Sequence, residues 1–221
     1  MKKSILNVKY AVMVLLFVAT ISCSKEDPAP TVSIPIVSYA SPTMEATFFK
    51  VGHSTAPTVS WNNNQGLFSL TTAIEGLSIN ASTGVLNWTK TLPQGEHAVE
   101  VIAKNSAGQT SISLTLKNAL QGQFIGSHKW NDKAGIFKIK FIADGSIEVI
   151  AGDNDANLAT GTWLVAGDVV TSDYTYPSRA EFSLKGTLTQ TASEVTLIGY
   201  WYNKHGAITE KIGESFSVVL K

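Results

Sequence analysis

From Thr31 onward, apolar residues recur at alternate positions in short runs, and no window carries a sustained i, i+3, i+4, i+7 stripe. Successive side chains of a strand point to opposite faces, so this alternation predicts β-structure throughout. Turn signals separate the runs roughly every 8–12 residues, the spacing of a sandwich or barrel. In the first stretch the pattern predicts strands at Thr31–Tyr39, Ala46–Val51, Pro57–Trp61, Leu67–Leu70, Leu77–Ile79, Val85–Thr89, His97–Lys104 and Gln109–Lys117. Val99, Val101 and Ala103 face one way, and Ile112, Leu114 and Leu116 give the last strand its apolar face. Turns are expected at 80–84 and 105–108, where Asn or Ser can bond locally to the backbone and Gly supplies positive φ.

The patterning restarts near Ala119-Leu120-Gln121-Gly122. Eight further strands are predicted: Gln123–Lys129, Gly135–Ala143, Ser146–Ala151, Thr160–Val165, Val169–Thr175, Ala180–Leu188, Val195–Tyr202 and Glu214–Leu220. Phe137, Ile139 and Phe141 share one face with Lys138 and Lys140 on the other, and Phe182, Leu184 and Leu188 repeat the pattern, as do Phe216, Val218 and Leu220. Eight consecutive hairpin-linked strands are most simply an up-and-down barrel, because closure removes exposed edges. In such a meander Asp144-Gly145, Gly167-Asp168 and Thr191-Ala192-Ser193 form short connections at one end. The longer connections 130–134, 152–157, 176–179 and 203–206 gather at the other, which is where function tends to sit on a rigid scaffold.

The run Gly76-Leu77-Ser78-Ile79-Asn80-Ala81-Ser82-Thr83-Gly84-Val85-Leu86-Asn87-Trp88-Thr89 resembles the immunoglobulin-like, or cadherin-like, repeats of bacterial surface proteins, as does its continuation from Gly95 to Gly108. The resemblance implies a β-sandwich used as a spacer or adhesive module. The acidic motifs of calcium-binding relatives have no counterpart, since residues 31–118 contain no Asp. In the second stretch Gly161-Thr162-Trp163 and Gly199-Tyr200-Trp201 place Gly and Trp on one face, where the missing side chain would make room for an indole. This texture resembles small lipocalin-like and avidin-like barrels. The fold expected is therefore all-β: an Ig-like β-sandwich over 35–118, followed by an eight-stranded up-and-down, lipocalin-like β-barrel over 119–221. Each part is expected to fold alone.

The first 34 residues read differently. Lys2, Lys3 and Lys9 precede an apolar run from Tyr10 to Val18 and the small residues Ala19, Thr20 and Ser22, the three regions of a secretory signal. The run is short of the roughly 20 apolar residues of a membrane span. Cys23, the single cysteine, cannot pair within its own chain. Thr20-Ile21-Ser22-Cys23 resembles the lipobox of bacterial lipoproteins, which implies cleavage after residue 22 and acylation of Cys23. The following Ser24-Lys25-Glu26-Asp27 resembles a surface-export tag, implying an outer-membrane, cell-surface location. Residues 23–34, with Pro28 and Pro30, read as a tether whose composition favours extended conformations.

Charge narrows the partners. The full chain is neutral, with 17 basic and 17 acidic side chains, and loss of a signal carrying three lysines leaves a mildly acidic product. Arg179 is the only arginine, and nothing suggests the clustered basic face of a nucleic-acid binder. Asp153, Asp155 and Asn157 have the 1, 3, 5 spacing of a calcium loop, but Leu158 and Leu164 stand where that loop needs Gly and Glu. His53, His97, His128 and His205 lack metal-ligand spacing. No metal or cofactor is expected. Asp132, Asp153 and Asp155 could meet at the rim, yet nothing sets their acidities apart for glycosidic acid–base work, and no enzymatic activity is expected.

The reading that results is a lipid-anchored binding protein: a spacer presenting a barrel whose long-loop rim meets a glycan or a surface protein. Tyr174, Tyr176, Tyr200 and Tyr202 are the aromatic candidates, since amphipathic rings can stack on sugar faces or anchor a partner. The expected site is Trp130, Tyr176, Arg179, Tyr202 and His205. The alternative is a lipocalin-like carrier with a small apolar ligand in its lumen. Phe137, Phe141, Trp163 and Trp201 would already fill much of that space.

Overall fold

The computed structural model describes residues 31–153, 155–209 and 214–221. Before residue 119 lie β1 (Ile36–Ser38), β2 (Thr43–Glu45), β3 (Gly52–His53), β4 (Thr58–Ser60), β5 (Leu67–Leu70), β6 (Leu77–Ile79), β7 (Leu86–Trp88), β8 (Gly95–Asn105) and β9 (Gly108–Asn118). They make a four-stranded sheet in the order β2-β9-β8-β5, a three-stranded sheet β3-β7-β6 and the pair β1-β4. Phe68, Leu86, Trp88, Val101 and Leu116 bring the two larger sheets to one apolar core. The β8–β9 hairpin turns on Asn105, which is buried. Its Oδ1 accepts from the Ala107 and Gly108 amides at 2.9 and 3.1 Å, while its Nδ2 donates to the carbonyls of Ser33 and Trp61.

The expected strand at 46–51 is not a strand. Its alternating burial looks β-like, but Phe49 adopts φ 56°, and the Lys50 amide donates to Thr47 O at 3.1 Å. The left-handed residue turns the chain, and 46–51 becomes a loop joining β2 to β3. Cys23 and the expected signal sequence lie outside the described residues.

The second stretch is a closed barrel of β10 (Gly122–Trp130), β11 (Lys133–Phe141), β12 (Ser146–Ala151), β13 (Ala159–Ala166), β14 (Val169–Thr175), β15 (Glu181–Gln190), β16 (Val195–Tyr202) and β17 (Glu214–Leu220). Every neighbouring pair is antiparallel, and β10 closes on β17 with Phe124 opposite Leu220. The inward parity is as the alternation predicts: Phe124, Ile139, Phe141, Val149, Leu184, Leu197 and Val218 are sealed in one core. Outside, Lys138 pairs with Asp155 at 2.6 Å and Lys140 with Glu148 at 2.9 Å.

The inward glycines serve a different purpose from the one expected. A Cβ on Gly126, Gly161 or Gly199 would fall 2.0, 1.9 or 2.0 Å from the carbonyl oxygen of Ser217, Asp173 or Lys185. Each glycine thus admits the backbone of a neighbouring strand rather than an indole.

The two ends of the barrel are closed unequally. At the end where β10 begins, Leu120 is fully buried, and Phe48, from the loop before β3, belongs to the same core as the barrel interior. Phe49 packs against that core beneath the Lys90 ammonium, 4.9 Å from its ring centre. Gln190 Nε2 donates to the carbonyls of Lys90 and Leu92, and Gln94 Nε2 donates to Gly167 O. Residues of the first stretch therefore form the barrel's floor, and 32–221 is one compact unit.

Candidate binding site

The opposite end is open. A cavity of about 240 Å³ lies in the barrel mouth, between the last inward residues of β10, β14 and β16 and the first of β11 and β15. Its walls are the aromatic groups of His128, Trp130, Phe137, Tyr174, Tyr176, Phe182 and Trp201, with Ala151, Asn157, Ser178 and Ala180 between them. Among the described residues, no Asp, Glu, Lys or Arg lines it. Phe137, Tyr174, Tyr176 and Trp201 are buried, whereas Trp130, Asn157 and Ser178 reach solvent. The interior is therefore apolar and the polar groups are at the rim.

The wall is rigid because its rings brace one another. Phe182 stacks on Tyr174 at 5.8 Å and meets Tyr176 and Trp201 edge-on at 5.5 and 5.8 Å. Pairs of this kind are worth roughly 0.5–1.5 kcal/mol beyond area burial. His128 stands at the position a Trp occupies in the two Gly-x-Trp strands, two residues after Gly126. Its ring lies 5.2 Å from Phe137 and 6.1 Å from Trp201.

Several polar atoms of the wall are already engaged. Trp201 Nε1 donates to Lys129 O at 3.0 Å. Burial pushes the Tyr176 phenol's pKa above its ordinary value, a shift the neighbouring Ala151 backbone partly opposes. Burial raises Tyr174 much further, and the nearby Tyr176 adds to it. Both hydroxyls stay protonated at neutral pH.

Of the five expected site residues, the cavity takes two, Trp130 and Tyr176. Arg179 sits in the turn between β14 and β15 at φ 67°, where its amide donates to Tyr176 O at 2.8 Å; it shapes the rim without lining the cavity. Tyr202 and His205 are elsewhere. Trp201 points inward, so Tyr202 points outward, where it is nonetheless buried on the side on which a 3-10 turn at Ala207–Thr209 packs against β15 and β16. His205 Nε2 lies 3.1 Å from both Thr175 Oγ1 and Tyr174 O, and its Nδ1 is 4.0 Å from a Glu181 oxygen. This outer cluster, with Asp173 Oδ1 accepting from the Gly206 amide at 3.0 Å, fastens the connection after β16 to the barrel wall.

The first of the expected long connections is in fact tight. Asn131 and Asp132, at φ 47° and 61°, close a two-residue turn between Trp130 and Lys133. Asp155 of the calcium-like spacing is engaged by Lys138. The contributors that sequence reasoning left unassigned to the site are His128, Phe137, Phe182 and Trp201, each of inward parity nearest the open end. That signal was present in the alternation, but it identifies a mouth only once the barrel is known to close.

The chain matches no protein-family model and no curated protein sequence.

Proposed function

We propose that this protein is a non-enzymatic, surface-anchored binding module. Cys23 carries the lipid, residues 23–34 are the leash, an Ig-like sandwich is the spacer, and a lipocalin-like barrel presents its mouth to a glycan or protein partner. The observation that carries the reading is the pre-formed aromatic cavity at the long-loop end, opposite the end that joins the spacer. A rigid pocket opening away from its support is suited to recognition, since little ordering is required on binding. Protonated tyrosines and a lining that, among the described residues, has no carboxylate or lysine favour binding over acid–base chemistry.

The volume bears on what is held. Cavities for drug-sized ligands start near roughly 300 Å³, and this one is about 240 Å³ with a packed core beneath it. A carrier enclosing its whole ligand is thus less well supported than a mouth gripping part of a larger one. An aromatic ring of about 150–250 Å² contributes some 4–6 kcal/mol at 25 cal/mol per Å². Association costs about 4 kcal/mol or more. A single ring in the cavity therefore binds weakly, and contacts on the rim must supply the rest.

The test is a thermal-shift screen of glycans and peptides against the full chain beside Ser178→Trp, in which an indole at the rim would obstruct the cavity. Ligands that stabilise the parent and not the variant support the reading. Ligands that stabilise both equally place the site elsewhere.

A further inference from the structure

Resting on the mouth as binding site, we infer that its occupant is an aromatic side chain of a polypeptide partner, inserted ring-first. The wall is built from buried Phe137, Tyr174, Tyr176 and Trp201 with half-buried Phe182, and among the described residues the lining has no Asp, Glu, Lys or Arg to meet an ionic group. The buried indole N–H is engaged with Lys129 O. A sugar ring carries hydroxyls around its whole perimeter. Inside this wall most of them would lose water without gaining a partner, and unpaired buried polar groups are strongly penalised. A Phe, Tyr or Trp side chain has the opposite character: an apolar ring with at most one polar atom, able to make the edge-on and offset contacts the wall already uses.

The same side chain arrives attached to a backbone, which accounts for the rim. A free ring filling this cavity is limited to weak affinity, so the remaining contacts lie outside it. There the structure offers Trp130, 47% exposed and the most accessible aromatic of the lining, with Asn157 and Ser178, both exposed and able to exchange hydrogen bonds with a peptide backbone. A buried aromatic anchor ringed by exposed polar groups is the arrangement of an interface hot spot.

The experiment selects binders from a random displayed peptide library with the full chain, in parallel with a glycan array and titration with free indole and phenol. Selected peptides are expected to share one Phe, Tyr or Trp. Replacing it with Ala, or using the Ser178→Trp protein, should weaken binding about tenfold or more, a step of 1.4 kcal/mol. Trp130→Ala, an exposed change that leaves the barrel core intact, should weaken the same peptides. Peptides with no common aromatic, or free indole competing at equal concentration, would overturn the inference while leaving the mouth as the site. Glycans bound by the parent and lost in Ser178→Trp would do the same and make the partner a carbohydrate. No mouth-dependent binding in any arm would bring down the site itself.

Discussion

The ring of Trp130 lies parallel to that of Trp201, their centroids 5.0 Å and their planes 5° apart. One is nearly half exposed and the other 4% exposed, so the pair joins the solvent side of the mouth to its buried wall. The two are expected to respond differently to truncation. Trp201→Ala removes a buried ring and its indole donor to Lys129 O, at a cost of about 3–5 kcal/mol. Trp130→Ala loses mainly one stacking contact, about 0.5–1.5 kcal/mol. Urea denaturation of the two variants checks this, and equal losses would mean that Trp130 supports the fold rather than the mouth.

Phe48 links the first stretch to the barrel floor. Because it is 3% exposed and shares the core of Leu120 and Val195, Phe48→Ala is expected to destabilise the barrel by about 3–5 kcal/mol, although the residue lies outside it in sequence. Residues 119–221 expressed alone should show a similar deficit, since their floor would open to water. The readout is protection of the β10 and β15 amides from hydrogen exchange. Full protection in the isolated barrel would make the seam a mere contact between independent domains.

How much of this was legible follows from what alternation can encode. The inward parity of Phe137, Ile139 and Phe141 was readable because burial on one face leaves a period of two. The loop at 46–51 has that period as well, and only the backbone of Phe49 separates it from a strand; a bulky residue at positive φ has no sequence signature. The turn at Asn131-Asp132 escaped notice because it lacks glycine, yet Asn and Asp tolerate the left-handed region well enough for a two-residue hairpin. Proximity in sequence to the long connections points Tyr202 and His205 toward the mouth. Parity alone sends Tyr202 outward once Trp201 is inward, and residues 205–207 pack against the outer wall. The floor could not be read at all, because contact between Phe48 and the barrel is tertiary.

Gly161 offers a sharp test of the barrel's curvature. A Cβ there would sit 1.9 Å from Asp173 O, a backbone atom that cannot rotate away. Gly161→Ala is therefore expected to cost at least the roughly 1–3 kcal/mol of overpacking. The comparison is Gly186→Ala, whose Cβ would meet side-chain atoms of Leu197 and Phe216 at 3.0 Å and Ile198 O at 3.1 Å, a far smaller clash than the 1.9 Å at Gly161. A midpoint loss at Gly161 no greater than at Gly186 would mean that β13 and β14 separate more easily than their register implies.

If Cys23 bears the lipid, Cys23→Ala should release the protein from the membrane fraction and abolish metabolic labelling with a fatty acid. The lone cysteine and its signal-like upstream residues motivate the prediction. Unchanged membrane recovery of the unlabelled variant would assign the anchoring to something other than acylation.

Tyr39, Tyr174 and Tyr176 give the fold a defined alkaline limit. Burial raises all three phenols, Tyr39 to about 12 and the other two in the same direction. A phenol whose folded value exceeds its unfolded value of about 10 holds its proton more firmly in the native state. Its contribution is fully present below pH 10. Above that the unfolded chain ionises first, and stability falls as the pH rises toward the folded value, less for half-exposed Tyr39 than for buried Tyr174. Stability should therefore drop steeply between pH 10 and 12. Tyr176→Phe should flatten that slope without altering stability at pH 8 by more than the value of one hydrogen bond, about 1 kcal/mol. Urea midpoints measured from pH 8 to 12 decide it: a slope unaffected by Tyr176→Phe would mean that its hydroxyl reaches water through the open mouth.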